Sequence, residues 1–348
     1  MTLSNAELLA RLDNALKTIT VTDFGKSVLV PQQFDRFVQA MQHRTSILNE
    51  ARFIRMDSQT THVDRVGFVG RILKSGGAVV SGVQGDRVLT EAEYAKPQFD
   101  TNIMVARELQ AVCAIKDTAL RRNIERAGFE GTLVDLFGEA AGRDMEEYAL
   151  LSDTAISHAN DDVLSLTDGW IRRSVNLVFG KALTGPPAVP ADFNPAAADW
   201  PENMFQAMLM ALPKQYLQNR SEWRFYVDFD VEDAYRNLLK ARGTQLGDVA
   251  QTEAQDLRYK GLPVVYAPLI GRARGVNLTN RFPGRVAMLS HPDNLAWGIF
   301  HEVTVEPERH AKGRLTEFVL TLEADSHFED ENANVAAFID LARTEYWG

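Results

Sequence analysis

From Phe99 to Ile115 one residue parity carries Phe99, Ile103, Val105, Leu109, Cys113 and Ile115, while the other carries Asp100, Asn102, Glu108 and Gln110. That alternation is the period-2 signature of a β-strand. It belongs to a continuous tract, residues 62–153, that reads as two very long strands joined by a glycine-rich tip and followed by a long amphipathic helix. A strand over 99–115 would span roughly 55 Å at about 3.3 Å per residue, several times the usual length. A ribbon of that reach cannot be covered by its own small domain. The tract therefore predicts an assembly subunit that lays its ribbon on a neighbouring copy.

The outgoing strand is read from Val66, Phe68 and Ile72, which alternate with more polar neighbours. The segment 74–98 holds Gly76, Gly77, Gly82, Gly85 and Pro97, so the tip is expected to be mobile or to fold back as a small hairpin. After a strand end near Asp117, Leu120 and Ile124 face away from Arg121, Arg122 and Arg126 on a short helix. Over 132–152, Leu133, Leu136, Phe137, Ala140, Ala141, Tyr148 and Leu151 recur at helical spacing, with Thr132 and Asp135 read as the opening cap. Such a helix is near 30 Å long at about 1.5 Å per residue.

Upstream, Ser4 and Glu7 have capping-box spacing ahead of a stripe of Leu8, Leu9, Leu12, Leu16 and Ile19. A second helical stripe begins at Pro31 and runs through Phe34, Val38, Met41 and Leu48 toward Phe53. These stripes need a surface to bury them, and an arm beneath adjacent subunits would supply one. Downstream, the proline- and glycine-rich stretch 180–201 marks the domain crossing. Beyond it, helix is expected over Met204–Leu212 and Val231–Arg242, and strand over Trp223–Val227, Leu262–Ala267, 299–306 and 314–325.

The chain of 348 residues is 45% hydrophobic, enough for one large or two ordinary domains. No apolar run is long enough for a membrane span, and Glu7, Arg11, Asp13 and Lys17 interrupt the stretch a signal peptide would need. Cys113 is the only cysteine, which excludes an intrachain disulfide and fits a reducing compartment. A net charge of −10 argues against a dedicated nucleic-acid binder, since phosphate neutralisation needs clustered cations. Arg121/Arg122, Arg172/Arg173 and Arg272/Arg274 are read as local pairing partners.

No nucleophile elbow, P-loop or dinucleotide fingerprint is present. His301–Glu302 lacks the second histidine of a zinc motif, and a strand would point the two to opposite faces. Asp228, Asp230, Glu232 and Asp233 have the ligand type for a hard cation, but Asp230 capping a helix from Val231 is the simpler role. Glu329, Asp330 and Glu331 beside His327 read as a solvated turn. The residues thus point to no catalytic group, no cofactor and no metal.

The order of elements resembles the HK97-type major capsid proteins of tailed bacteriophages. The likeness is carried by DTALRRNIERAGFEGTLVDLFGEAAGRDMEEYALLSDT at 117–154, ALPKQY at 211–216, SEWRFYV at 221–227, YKGLPVVYAP at 259–268 and MLSHPDNLAWGI at 288–299. It implies an α+β HK97-like capsid fold, with an N-terminal arm at 1–60, a long E-loop hairpin at 61–116 and a peripheral domain with a spine helix at 117–200. An axial α/β domain at 201–298 and a completion of the peripheral domain at 299–348 follow. By the same resemblance Arg71, Lys74, Gly76, Gly77 and Gly82 belong to the E-loop contact, and Leu133, Phe137, Asp144 and Glu147 to the spine helix that receives a neighbour's loop. Lys74 raises the lysine–asparagine crosslink that some relatives form, which no spacing in one chain can reveal.

The expected role is a virion shell protein forming hexamers and pentamers around double-stranded DNA, assembled in the host cytoplasm. Its implied partners are a scaffolding protein, the portal and a decoration protein, with DNA contacted non-specifically and no membrane. Only about 28 residues precede the region of likeness, which suggests either a separate scaffold or an N-terminal segment that scaffolds without cleavage. Two other readings stay open at this level: an encapsulin-like compartment of the same fold, and a metal-dependent enzyme using residues 228–233.

Overall fold

The computed structural model describes residues 47–68, 72–77, 79–80, 83–95, 97–116, 129–159, 161–180, 192–241, 257–270, 285–300, 304–310 and 313–340. The expected helices at 4–19 and 117–128 lie outside them, as does most of the arm. The described part of the second N-terminal stripe is not helical: residues 47–50 form a turn, and Arg52–Met56 is strand β1. Ile47 and Leu48 still bury their side chains fully, but in the core of the subunit.

Strands β2 (Thr60–Phe68) and β5 (Pro97–Val105) pair antiparallel from Thr60↔Val105 to Phe68↔Pro97 as a two-stranded ribbon. Between them the tip carries a miniature hairpin, β3 (Val79–Val80) and β4 (Val83–Gln84). The return strand is interrupted at Ala106, and β6 (Arg107–Lys116) leaves the ribbon to join a sheet. A ribbon strand of 9 residues spans about 30 Å, so the expected 17-residue strand is two shorter ones.

The interruption also switches the buried parity. Met104 and Ala106 are fully buried while Ile103 is exposed, yet beyond the break Leu109 and Ala111 are the residues packed on the core. A single residue out of register in a strand moves every following side chain to the other face. The sequence alternation was continuous and could not reveal the switch.

Strand β14 (Leu315–Phe328) organises the first sheet. One edge takes β12 (Leu295–Phe300) at residues 324–328 and β13 (Thr304–His310) at residues 315–321, and the other takes β6 at residues 315–324. Strand β1 adds in parallel to β12. Residues 301–303, within the expected strand 299–306, lie outside the described residues.

The second sheet has the order β7–β15–β11–β8–β10–β9, with β7 at Asn176–Phe179, β8 at Arg224–Val227, β9 at Arg258–Tyr259, β10 at Leu262–Tyr266, β11 at Val286–Ser290 and β15 at Asn334–Phe338. Its central strands are apolar runs because both faces are covered. Leu177, Tyr226, Met288 and Phe338 face one core with Leu320, Leu322 and Trp297 of the first sheet, whereas Val178, Phe225, Leu289 and Val335 face another.

Four helices close these cores. Helix α1 (Phe129–Leu151) brings Met145, Tyr148 and Leu151 to the shared core, beside Trp170 and Ile171 of the short α2 (Trp170–Arg173). It starts before Thr132, so that residue lies within the helix and is no cap. Helices α3 (Trp200–Ala211) and α4 (Phe229–Ala241) cover the opposite face, where the Phe205 ring lies 4.6 Å from Phe225 and 5.2 Å from Tyr235. Asp228, not Asp230, occupies the capping position of α4, its Oδ1 accepting the Phe229 N–H at 2.7 Å. Among the described residues no helix is long and apolar enough to cross a membrane.

The chain after α1 returns directly onto its last turn. Gly169 donates its N–H to Ser152 O at 2.7 Å, and a Cβ there would sit 2.8 Å from the Ala149 carbonyl oxygen. We expect Gly169→Ala to destabilise the subunit by about 1–3 kcal/mol through this backbone overlap, measured by urea unfolding.

Candidate assembly surface and its anchorage

The ribbon and its tip leave unusually large apolar groups in solvent. Leu73 is 79% and Val88 90% exposed, and Ile72, Tyr94 and Ile103 are each about half exposed. Burying a side chain of this size gains roughly 1.5–3 kcal/mol, which this monomer forgoes. Others stand elsewhere, at Val112, Val163, Val175, Met210, Phe229 and Tyr266, but five fall on the ribbon and its tip, which makes this element the candidate interaction surface.

The tip is nonetheless locally built. The N–H of Gly77 donates to Ser75 Oγ at 3.2 Å, and that hydroxyl donates to Gly77 O at 2.6 Å. A Cβ on Gly77 would overlap the Gly85 carbonyl, so this close approach of two strands of the tip requires glycine. Thr90 and Glu93 form a capping box over the short turn Glu91–Glu93, and Arg87 pairs with Glu93.

At the ribbon root, polar groups of the main body grip its backbone. Asp325, 1% exposed on β14, accepts the Val105 N–H at 2.8 Å through Oδ2. Its Oδ1 accepts from Thr167 Oγ1 at 3.1 Å and from the Ser326 N–H at 2.8 Å, with Arg173 Nη2 at 3.5 Å. Burial pushes the Asp325 carboxyl above its ordinary range, opposed by Arg173 and by the three hydrogen bonds. Asn102 Nδ2 donates to Phe328 O at 2.8 Å and Glu329 O at 3.1 Å, while the Ala106 N–H donates to Gln59 O at 2.8 Å. Beneath these bonds Met56, Val63, Met104 and Ala106 form a small core of their own.

The neighbouring turn, expected to be solvated, is buried. Asp330 is 5% exposed and accepts from Tyr216 Oη at 2.6 Å, and Asn294 binds the backbone on both sides of it. His327 is also buried, its Nδ1 facing both the Phe328 N–H at 2.9 Å and the Phe328 O at 3.0 Å, and its Nε2 3.7 Å from Glu331. Desolvation, with the nearby Arg173 charge, lowers the His327 pKa from 6.5 to about 4.

The residues singled out from sequence distribute unevenly. Lys74 and Gly76 are exposed on the tip and Gly77 is packed inside it. Arg71 and Gly82 lie outside the described residues, and Leu133 and Phe137 lie in the part of α1 whose side chains are not described. Asp144 is exposed on α1, whereas Glu147 is 8% exposed and turned into its own subunit. Arg172 and Arg173 pair locally, with Asp153 at 3.4 Å and with Asp325. The acidic group near α4 is spent on the cap and on i,i+4 partners: Glu232 binds Arg236 at 2.7 Å and Asp233 binds Asn237 at 2.9 Å. The root residues Asp325, Asn102 and Thr167 were missed. Their one sequence signal is a lone aspartate closing an apolar strand.

Removing the Asp325 carboxylate strands Arg173 and the Val105 amide, so Asp325→Ala should cost about 3–5 kcal/mol. Hydrogen exchange at Val105 should accelerate, while amides of α3 keep their protection. For His327, the unfolded chain binds a proton near pH 6.5 and the folded chain only near 4. Its stabilisation is thus complete above pH 6.5 and is lost as pH falls toward 4, on the order of 3 kcal/mol. Urea midpoints measured across that window should fall in the native chain and fall less in His327→Gln.

No protein-family model matches the chain. A Bacillus subtilis (strain 168) protein described as a prophage capsid protein, YqbE, is 26% identical over 326 residues, covering 92% of this chain and 95% of its own length. Among solved structures, a chain of the satellite phage P4 procapsid that includes the size determination (Sid) protein superposes with TM-score 0.60 at 12% identity, over 96% of this chain and 98% of that one. The capsid of a native GTA particle gives TM-score 0.53 at 14% identity over 84% and 89%, and Mycobacterium phage Che8 gives 0.50 at 12% over 86% and 93%. The solved structures share the fold, and the Bacillus relative is similar in sequence over nearly the whole length. The resemblance to HK97-type capsid proteins is borne out: a prophage capsid protein matches in sequence, phage and GTA capsid chains match in fold, and these likenesses support a major capsid protein.

Proposed function

We propose that the ribbon and tip are the E-loop, that α1 is the spine helix, and that the N-terminal arm, expected over 1–60, is confined to the residues before Ile47, because Ile47, Leu48 and β1 are built into their own subunit. The first sheet with α1 then makes the peripheral domain and the second sheet the axial domain around each capsomer's local axis; β7 and β15, from outside the expected 201–298, join that second sheet, and β12 joins the first. The observation that carries this reading is the run of exposed Ile72, Leu73, Val88, Tyr94 and Ile103 on one projecting element. Laid across the α1 helix of an adjacent copy, near its exposed Asp144, the element would bury that surface and bring Lys74 to an acidic neighbour.

Hexamers and pentamers closing an icosahedral shell would multiply modest pair contacts into large avidity. Double-stranded DNA would fill the shell with little adhesion, in keeping with a net charge of −10. Assembly in the host cytoplasm with a scaffolding protein, a portal and a decoration protein completes the proposal.

The test is negative-stain electron microscopy with light scattering of the chain expressed alone and with its neighbouring genes. The intact chain should give shells or capsomer rings. Deletion of residues 75–96 should leave a soluble subunit that forms neither, and normal shells from that variant would overturn the E-loop assignment.

A further inference from the structure

The hairpin of β13 and β14 carries a side-chain arrangement that strand pairing alone does not account for. Glu308 and Glu317 stand directly opposite each other in the antiparallel register, an arrangement of like charges that destabilises a sheet. His310, two residues along β13, shares their face. The three are partly or fully solvent-accessible, and they form the one group among the described residues whose ligand atoms all lie within 4.8 Å of one another.

The spacing accommodates a shared cation, with His310 and Glu317 also within hydrogen-bond reach of each other. His310 Nε2 lies 3.2 Å from Glu317 Oε2 and 3.7 Å from Glu308 Oε1. Charge-assisted N–H to carboxylate bonds close to about 2.7–2.9 Å. Ligands held tetrahedrally at about 2.0–2.1 Å from zinc stand about 3.3 Å apart. One imidazole and two carboxylates suit a borderline divalent transition ion, whereas Mg²⁺ and Ca²⁺ take oxygen ligands. We propose that Glu308, His310 and Glu317 form a surface Zn²⁺ site that neutralises the facing carboxylates and ties β13 to β14. Its fourth position is open to water or to a group from another copy.

The experiment is calorimetric titration of Zn²⁺ into the full chain after removal of metals with a chelator, with Mg²⁺ as the parallel probe. About one Zn²⁺ should bind per chain, with affinity falling roughly tenfold or more in His310→Ala and in Glu308→Gln, and no comparable Mg²⁺ binding. Without metal, thermal unfolding of His310→Ala should match the parent and that of Glu308→Gln should match or exceed it, because all three side chains reach solvent and the Gln relieves the facing charges. Absence of Zn²⁺ binding, or binding unchanged in both variants, overturns the site. A loss of metal-free stability in His310→Ala without Zn²⁺ binding by the parent would identify an ion triad in its place. None of these readouts depends on shell formation.

Discussion

A strand has two hydrogen-bonding edges, and β14 uses both along nearly its whole length. On one side it gathers β12 and β13, and on the other it captures β6, the continuation of the ribbon. Its even positions Leu320, Leu322, Ala324 and Phe328 feed the core shared with α1, α2 and the second sheet. Its odd position Asp325 grips the ribbon backbone. The two sheets and the projecting ribbon therefore meet at one strand, and a disturbance there reaches all three.

That placement explains how a subunit can hold a long element out into solvent. The ribbon has little core beyond Met56, Val63, Met104 and Ala106, too few groups to fix its direction by packing alone. Directional bonds from Asp325 and Asn102 to the backbone, and from Ala106 to Gln59, supply the orientation instead. A buried carboxylate is costly, yet three hydrogen bonds and Arg173 satisfy it, and this pays for a defined geometry at the root.

The exposed apolar tip and the buried polar root have a common logic. Leu73 and Val88 stand in water on the tip, whereas Asp325, Asn294 and Asp330 are withdrawn from water because the chain supplies their partners. Both ends of the ribbon reverse the ordinary hydrophobic pattern, and that reversal supports the assembly role proposed for it.

Much of this was legible in the amino acids. The ribbon, the glycine tip, the helix ending at Leu151, and the strands around Phe225, Val264 and Leu320 follow from local periodicity, because side-chain alternation and helical spacing are set within a few residues. The break at Ala106, the inward turn of Met104 in place of Ile103, and the burial of His327 and Asp330 were not legible. Each depends on a partner far along the chain: Gln59 for Ala106, Asp325 for Val105, Asn294 and Tyr216 for Asp330. The sequence by itself determined which segments alternate, which coil and that a long ribbon exists. Only the tertiary structure decided which edge β6 would take and which residues would anchor it, because pairing and burial are properties of contacts between distant segments and leave no local period to read.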